Sequence, residues 1–436
     1  MYAIVVVDLV WGDCGKGSVV DYLTRETGAR LVFRFNGGGQ AAHFVTLDDG
    51  RSHCFSQFGS GTLAGADTYL SRFMVIDPLA MEAEARHLEY LGVADPFRRL
   101  HVDEEAVIVT TYHQALNRRR EMARSVKHGT CGVGIGEVMA DVCAGRPVLR
   151  MKDLHDRDRT HALLCEIQAM KEHEGREVDQ DVALTDSAVF DTPSALLDDY
   201  RASGLVRLAT TVTARDRSAL FANYSDRPII GEGAQGVLLD ERYGFHPHTT
   251  WSTTTFENAE TVLCDADWHG DIRRVGVLRA YATRHGHGPF PTEDARLVVA
   301  GHEHNTTGQW QGAFRIGHFD GILARYALHA CGRVDELALT HLDCRHDWWA
   351  AERYVEVDAG TRLVTGDLAQ QERLGTLLSR CHPLYRPCAS SQRLTDWIDD
   401  YLGVPITLAS YGPTAAQKVR IVHGIGTFHQ QEIDTD

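Results

Sequence analysis

The chain has 436 residues, 43% of them hydrophobic, and a formal net charge of -16. That is ample material for a core, and no apolar run is long enough to span a bilayer. The negative charge argues against nonspecific binding to nucleic acid, whose phosphates such a surface repels. The N-terminus enters a strand-like run without the basic stretch, apolar core and small-residue cleavage site of a secretion signal. The 10 cysteines contain no C-x-x-C pair. Both features point to free thiols in a cytoplasm rather than a disulfide frame or zinc site.

In chain order, the apolar run Tyr2–Val7 reads as a strand, followed by glycine-rich residues and a helix from Lys16 to Thr27 with Val19, Val20 and Leu23 on one face. Helical periodicity recurs at Leu79–Leu91, His113–Arg124, Thr160–His173 and Phe319–Ala330. Strand-like runs fall at Ala106–Thr110, Pro228–Gly231, Val275–Leu278, Glu336–Thr340 and Pro405–Leu408. Strands alternating with helices predict an α/β fold with a mostly parallel central sheet covered on both faces. No Pro- or Ser-rich linker interrupts the pattern, so residues 1–436 are expected to form a single domain with insertions.

The first strand-to-helix turn, VVVDLVWGDCGKGS at residues 5–18, is close to a phosphate-binding loop. A Walker loop has a glycine, four further residues, then Gly-Lys and a hydroxyl residue. Here the first glycine is replaced by Val10 and the hydroxyl position by Gly17. Backbone amides, Lys16 and an acid still meet at a helix N-terminus, where anions are favoured. Asp13 is the unusual member, since a carboxylate beside polyphosphate is repelled unless it binds a metal or takes a proton. A helix cap is the plainer alternative.

A second glycine-rich stretch, NGGGQAAH at 36–43, ends in His43. Together with WGDCGKG it resembles the start of adenylosuccinate synthetase, whose usual forms are QWGDEGKGK and QGGxNAGHT. Further blocks follow in the family's order: KHGTCGVGIGEVMAD at 127–141, GEGAQGVLLD at 231–240 with HPHTTWSTTT after it, AYATRHGHGPFPTE at 280–293, HNTTG at 304–308, LTHLD at 339–343, and YLGVPI with SYGP near the C-terminus. The block at 280–293 is close to the family's AYSTRVGAGPFPTE.

The resemblance implies a P-loop-like GTP-binding architecture and a GTP-dependent carbon–nitrogen ligase. Such an enzyme phosphorylates the 6-oxygen of an IMP-like purine nucleotide and then joins an amine at that carbon, releasing GDP and phosphate. It implies catalytic roles for Asp13 as base, His43 as acid and Lys16. Gly12, Gly15, Lys16, Gly17, Ser18, Asp343, Ser410, Gly412 and Pro413 would bind GTP. Magnesium would be held by Asp13 and the backbone of Ala42. The acceptor nucleotide would meet Gln40, Thr130, Cys131, Gln235 and Thr250. Arg146 would reach the nucleotide of a second subunit in a homodimer. The implied partners are small-molecule nucleotide and amine substrates, with neither nucleic acid nor membrane.

The departures cluster on the amine side. The family continues HNTTG with RRRRTGW, an arginine cluster for the two carboxylates of aspartate. This chain has Thr306, Thr307 and Gly308 followed by QWQGAFR, in which Arg315 is the one basic residue. Gln309 and Gln311 cannot supply the forked, charge-assisted donors that a dicarboxylate needs. The expectation is a specialised relative from secondary metabolism whose amine is aspartate or, as this loop favours, a different amino compound. Cys14 stands where the family has glutamate and reads as a passive replacement or a low-pKa thiol. The His285 and His302–His304 clusters have metal-compatible spacing, but 23 histidines make such spacing common. Two other readings stay open: a kinase or phosphohydrolase acting on the lactam oxygen of a specialised metabolite, and a catalytically silent nucleotide-binding protein.

Overall fold

The computed structural model describes residues 2–125, 128–178, 192–297, 299, 310, 312–343, 348–355 and 367–422. At its centre is a 10-stranded sheet with the order Thr210–Val212, Leu100–Asp103, Asp67–Leu70, Leu31–Arg34, Ile229–Glu232, Tyr2–Asp8, Asp271–Arg279, Glu336–Thr340, Ile406–Ser410, Lys418–Arg420. Every neighbouring pair is parallel except the last, which is antiparallel.

Strand β1 (Tyr2–Asp8) explains the near-continuous apolar run at the start of the chain, because it is buried on both faces, as parallel strands are. Alternate residues serve opposite faces. Ala3, Val5 and Val7 join Leu31, Phe33 and Leu337 on one face, and Ile4 and Val6 join Val19, Val20 and Leu23 on the other. The latter three come from helix α1 (Lys16–Thr27), whose bounds match the sequence expectation. Each such side chain contributes roughly 1.5–3 kcal/mol on burial, and Val6→Asp would leave a charge unpaired between sheet and helix. Gly15 and Gly28 bound α1 with φ of 81 and 64, a left-handed conformation that glycine adopts without steric cost.

The expected helices at 79–91, 113–124, 160–173 and 319–330 correspond to Pro78–Tyr90, Thr111–Ala123, Arg157–Glu177 and Gly321–Cys331. The run Ala106–Thr110 departs from expectation. Only Val107–Ile108 is strand, and it belongs to a separate small sheet with Val75–Ile76 and Leu149–Arg150. Val107 and Val109 pack with Ile135 and Val138, whereas Ala106 and Ile108 join the cluster of Leu70, Leu100 and Val102 from the main sheet.

Beta1 lies centrally, between Ile229–Glu232 and Asp271–Arg279. Asp8, Arg34, Glu232, Arg279 and Thr340 therefore sit together at the carboxyl ends of neighbouring strands. Ligand crevices of open parallel sheets form outside that edge.

Candidate active site

The turn after β1 is organised by Asp8, a residue without a role in the sequence reading. Its carboxylate is buried and accepts the backbone N–H groups of Val10 (2.9 Å), Gly12 (3.2 Å) and Cys14 (2.9 Å). The Lys16 ammonium lies 3.3 Å from the same carboxylate and donates to the Gln235 carbonyl at 2.7 Å. Lys16 is thus buried and held under the loop, already engaged by protein acceptors. Cys14 is the passive thiol of the two alternatives: burial, then the neighbouring Asp8, push its pKa well above the ordinary value. Ser18 Oγ donates back to the Gly15 carbonyl at 3.0 Å. A Cβ on Gly236 would lie 2.2 Å from the Val10 carbonyl oxygen, so glycine is needed where the two loops touch.

Asp13 adopts φ 58. Arg279 Nη1 donates to its carbonyl at 2.9 Å, and its Oδ2 lies 3.0 Å from His285 Nε2. Burial raises its pKa, but the hydrogen bond and charge of His285, with Arg279 and Lys16, outweigh that and leave it lowered. The carboxylate is therefore ionised at neutral pH.

His43 comes from a hairpin formed by His43–Thr46 and Ser52–Phe55. Its Nδ1 lies 2.6 Å from Glu232 Oε1, and both residues are buried. Glu232 also accepts from the Ser60 backbone N–H at 2.9 Å and from the Ser60 hydroxyl. Burial lowers the His43 pKa more than Glu232 raises it. For Glu232, burial acts upward, but Arg34, His43 and Ser60 hold the carboxyl below its ordinary range. The pair is a neutral imidazole donating Nδ1–H to an ionised carboxylate, which leaves Nε2 as the second functional nitrogen. A Cβ on Gly17 would come within 2.8 Å of His43 Cβ. Glycine in the first turn of α1 is what lets the histidine approach the helix N-terminus.

The residues assigned to the acceptor line neighbouring loops. Gln235 has φ 57, and among the described residues its buried side-chain Oε1 has no partner, nor has Oε1 of Gln40. A Cβ on Gly37 would lie 3.4 Å from the Gln235 amide, and one on Gly38 would lie 3.1 Å from Gln40 Oε1. Ala42, two residues after Gln40, is exposed. Thr130 Oγ1 is 3.4 Å from Asn117 Oδ1, with Cys131 next to it and partly buried. Thr250 is fixed by its N–H to Leu239 O at 2.7 Å. Two tryptophans border this region: Cβ atoms built on Gly132 and Gly136 would lie 3.0 Å from Trp310 and 3.2 Å from Trp251.

Asp343, Ser410, Gly412 and Pro413 gather at the far end of the crevice. The Leu342 N–H donates to Ser410 O at 3.0 Å, and Ser410 Oγ donates to Gly412 O at 3.0 Å. Asp343 is exposed there. Lys418, pushed down to about 8 by burial, donates to Thr414 O at 2.9 Å.

Two assigned arginines are paired within the chain. Arg146 pairs within the chain with Glu174 (2.8 Å) and Asp141 (3.5 Å). Arg315 pairs with Glu293 at 2.9 Å and donates to Gly288 O at 3.0 Å. Thr306, Thr307, Gly308, Gln309 and Gln311, with His302–His304, lie outside the described residues. Among the described residues no helix is long and apolar enough to cross a membrane, and every cysteine is free.

The adenylosuccinate synthetase family model matches residues 5–419. The chain belongs to the adenylosuccinate synthetase family. It is 30% identical over 439 residues to the adenylosuccinate synthetase of Francisella tularensis subsp. mediasiatica, covering 96% of this chain and 97% of that protein. The fold matches that of fully ligated adenylosuccinate synthetase from Plasmodium falciparum with a TM-score of 0.79 at 21% identity, covering 96% of this chain and 100% of that one. It also matches succinoaminodeoxyadenylate synthetase from cyanophage S-2L with a TM-score of 0.55 at 18% identity, covering 96% and 95%.

Within this adenylosuccinate synthetase fold, sequence reasoning missed Asp8, Glu232 and His285 as site residues. Glu232 stands inside a quoted family block and His285 was weighed only as a metal ligand. An acid ending an otherwise apolar strand was the available signal for Asp8.

Proposed function

We propose that the chain is a GTP-dependent ligase that phosphorylates the 6-oxo group of an IMP-like purine nucleotide and joins an amine at that carbon. The observation that carries this reading is the approach of an ionised Asp13 and a carboxylate-paired His43 to the same helix N-terminus. A lactam oxygen is a poor nucleophile until its N1 proton leaves. Asp13 takes that proton as general base, and the released electron pair moves to the oxygen, which attacks the γ-phosphorus of GTP. The bond from phosphorus to the GDP oxygen breaks. The amine then adds at carbon 6, phosphate departs with the carbon–oxygen pair, and the nitrogen's surplus proton passes to the departing phosphate.

Negative charge on the transferring group draws a second proton onto His43. Ionised Glu232 stabilises the resulting imidazolium and keeps Nε2 as a donor. Amides at the start of α1 receive phosphate oxygens, and Asp343 with Ser410, Gly412 and Pro413 accepts the guanine. For phosphate to meet Lys16, the ammonium must exchange one of its two protein acceptors.

Among the described residues no group of three or more His, Cys, Asp or Glu side chains is arranged to hold a metal ion by itself. One carboxylate with substrate phosphates and water is the donor set magnesium takes, so Asp13 and the Ala42 carbonyl suit it. Bound there, it would neutralise charge between the phosphates. Arg146 would have to leave Glu174 to serve a second subunit's nucleotide, as a homodimer requires.

The amine is an amino compound other than aspartate, because Arg315, the one arginine in 309–315, is committed to Glu293. The phage relative described as bound to dGMP and dATP supports variation of nucleotide on this fold. Incubation with GTP, magnesium and inosine monophosphate, with and without a panel of amino acids, tests the reading by GDP release and product mass. An amine-dependent adduct is expected. Aspartate-dependent adenylosuccinate would overturn the altered amine. GDP formed without any amine would replace the ligase by a kinase or hydrolase, and no turnover with any acceptor would leave a silent binding protein.

A further inference from the structure

Asp13 has little conformational freedom left. Its backbone is left-handed, its carbonyl accepts from Arg279 at 2.9 Å, and the next carbonyl, of Cys14, accepts from Thr340 Oγ1 at 2.7 Å. What the backbone does not fix is the rotation of the carboxylate, and His285 supplies that constraint at 3.0 Å. The histidine is itself supported. It ends the strand Ala282–His285, paired antiparallel with Phe314–Gly317, and its ring packs 4.9 Å from that of Phe314. The next N–H, of Gly286, donates to Ala313 O at 2.9 Å. Among the described residues, His285 Nδ1 is buried without a partner. A proton on Nε2 lets His285 donate to Asp13 Oδ2. In the family form AYSTRVGAGPFPTE this position is valine, which has no donor.

We propose that His285 is a positioning residue that fixes the Asp13 carboxylate by engaging one oxygen, so that the other meets the lactam proton from a set place. The role rests on the ligase reading above, in which Asp13 is the base. Because His285 acts through Asp13, its removal should lower the rate of the chemical step and spare GTP affinity.

The test compares His285→Val, which removes the donor, with His285→Gln, whose side-chain amide can restore it. With GTP, magnesium and the acceptor and amine that give turnover, His285→Val is expected to lose about 10- to 100-fold in kcat with the GTP KM held within about twofold, and His285→Gln to recover most of the loss. A wild-type kcat in His285→Val, or a His285→Gln no better than His285→Val, would overturn the proposal.

A second readout needs no turnover. With 15N-histidine labelling, the Nε2–H signal of His285, assigned by its loss in His285→Val, should move or vanish in Asp13→Ala. A signal unmoved by Asp13→Ala overturns the contact. If no acceptor turns over, the ligase reading falls while this measurement still decides whether His285 holds Asp13.

Discussion

On the phosphate side of the crevice, two buried carboxylates are engaged: Asp8 gathers Val10, Gly12, Cys14 and Lys16, and Glu232 gathers His43 and Ser60. On the acceptor side the amide oxygens of Gln40 and Gln235 are buried and, among the described residues, unpartnered, and Trp251 is 48% exposed. Buried polar groups left without protein partners are completed by something else. The first side is therefore preorganised around developing negative charge. The second acquires its final hydrogen bonds from whatever nucleotide enters. A family that keeps one phosphoryl chemistry while changing substrates needs that division.

The sharpest way to break the comparison is at Asp13. Asp13→Ala should cost about 10²- to 10⁴-fold in turnover with GDP binding retained, because a general base is lost while the amide cradle stays. Wild-type rates, measured as GDP release, would remove Asp13 from the mechanism. Glu232→Gln should cost about 100-fold, since an amide can donate to Nδ1 and reverse the His43 tautomer; an unchanged kcat would reduce the pair to a packing feature.

The acceptor side should respond differently. Gln235→Ala should raise the KM for the acceptor nucleotide about tenfold, the value of one hydrogen bond in a buried site, and leave the KM for GTP alone. An equal rise in both constants would erase the distinction between the two sides.

The smallest effect serves as a control remote from the crevice. Asp320 caps the helix Gly321–Cys331 and accepts from Tyr354 Oη at 2.7 Å. Burial lifts its carboxyl from 3.8 to about 6, against the lowering pull of its hydrogen bonds. The folded chain therefore keeps a proton there that the unfolded chain releases. Stability from this group is complete below the unfolded value, declines as pH rises to about 6, and is flat above. Asp320→Asn keeps a capping oxygen. It should raise Tm by a few degrees at pH 7, converge on wild type near pH 4, and leave turnover unchanged. A constant Tm difference across that range would contradict the burial of a charge.

Much of the frame was legible in the sequence because it depends on local pattern. The bounds of α1 follow from Gly15, Gly28 and the spacing of Val19, Val20 and Leu23, and Glu336–Thr340 was read as the strand it is. The loop motifs carried Asp13 and His43. The unseen members act across long separations: Glu232 meets His43 through a hairpin folded over the sheet edge, and His285 meets Asp13 through a strand more than half the chain away. No periodicity encodes such pairs. Ala106–Thr110 misled for a related reason, since an apolar run does not say which sheet it will join.

The Asp8 carboxylate has an evolutionary consequence. It already occupies the space beneath the turn that reaches Cys14, where its charge pushes the thiol upward. An acid at position 14, the residue type the family form carries, would put a second anion into that buried volume. Positions 8 and 14 thus share one allotment of negative charge and are expected to change in concert along any lineage. Related sequences with acids at both would contradict this coupling.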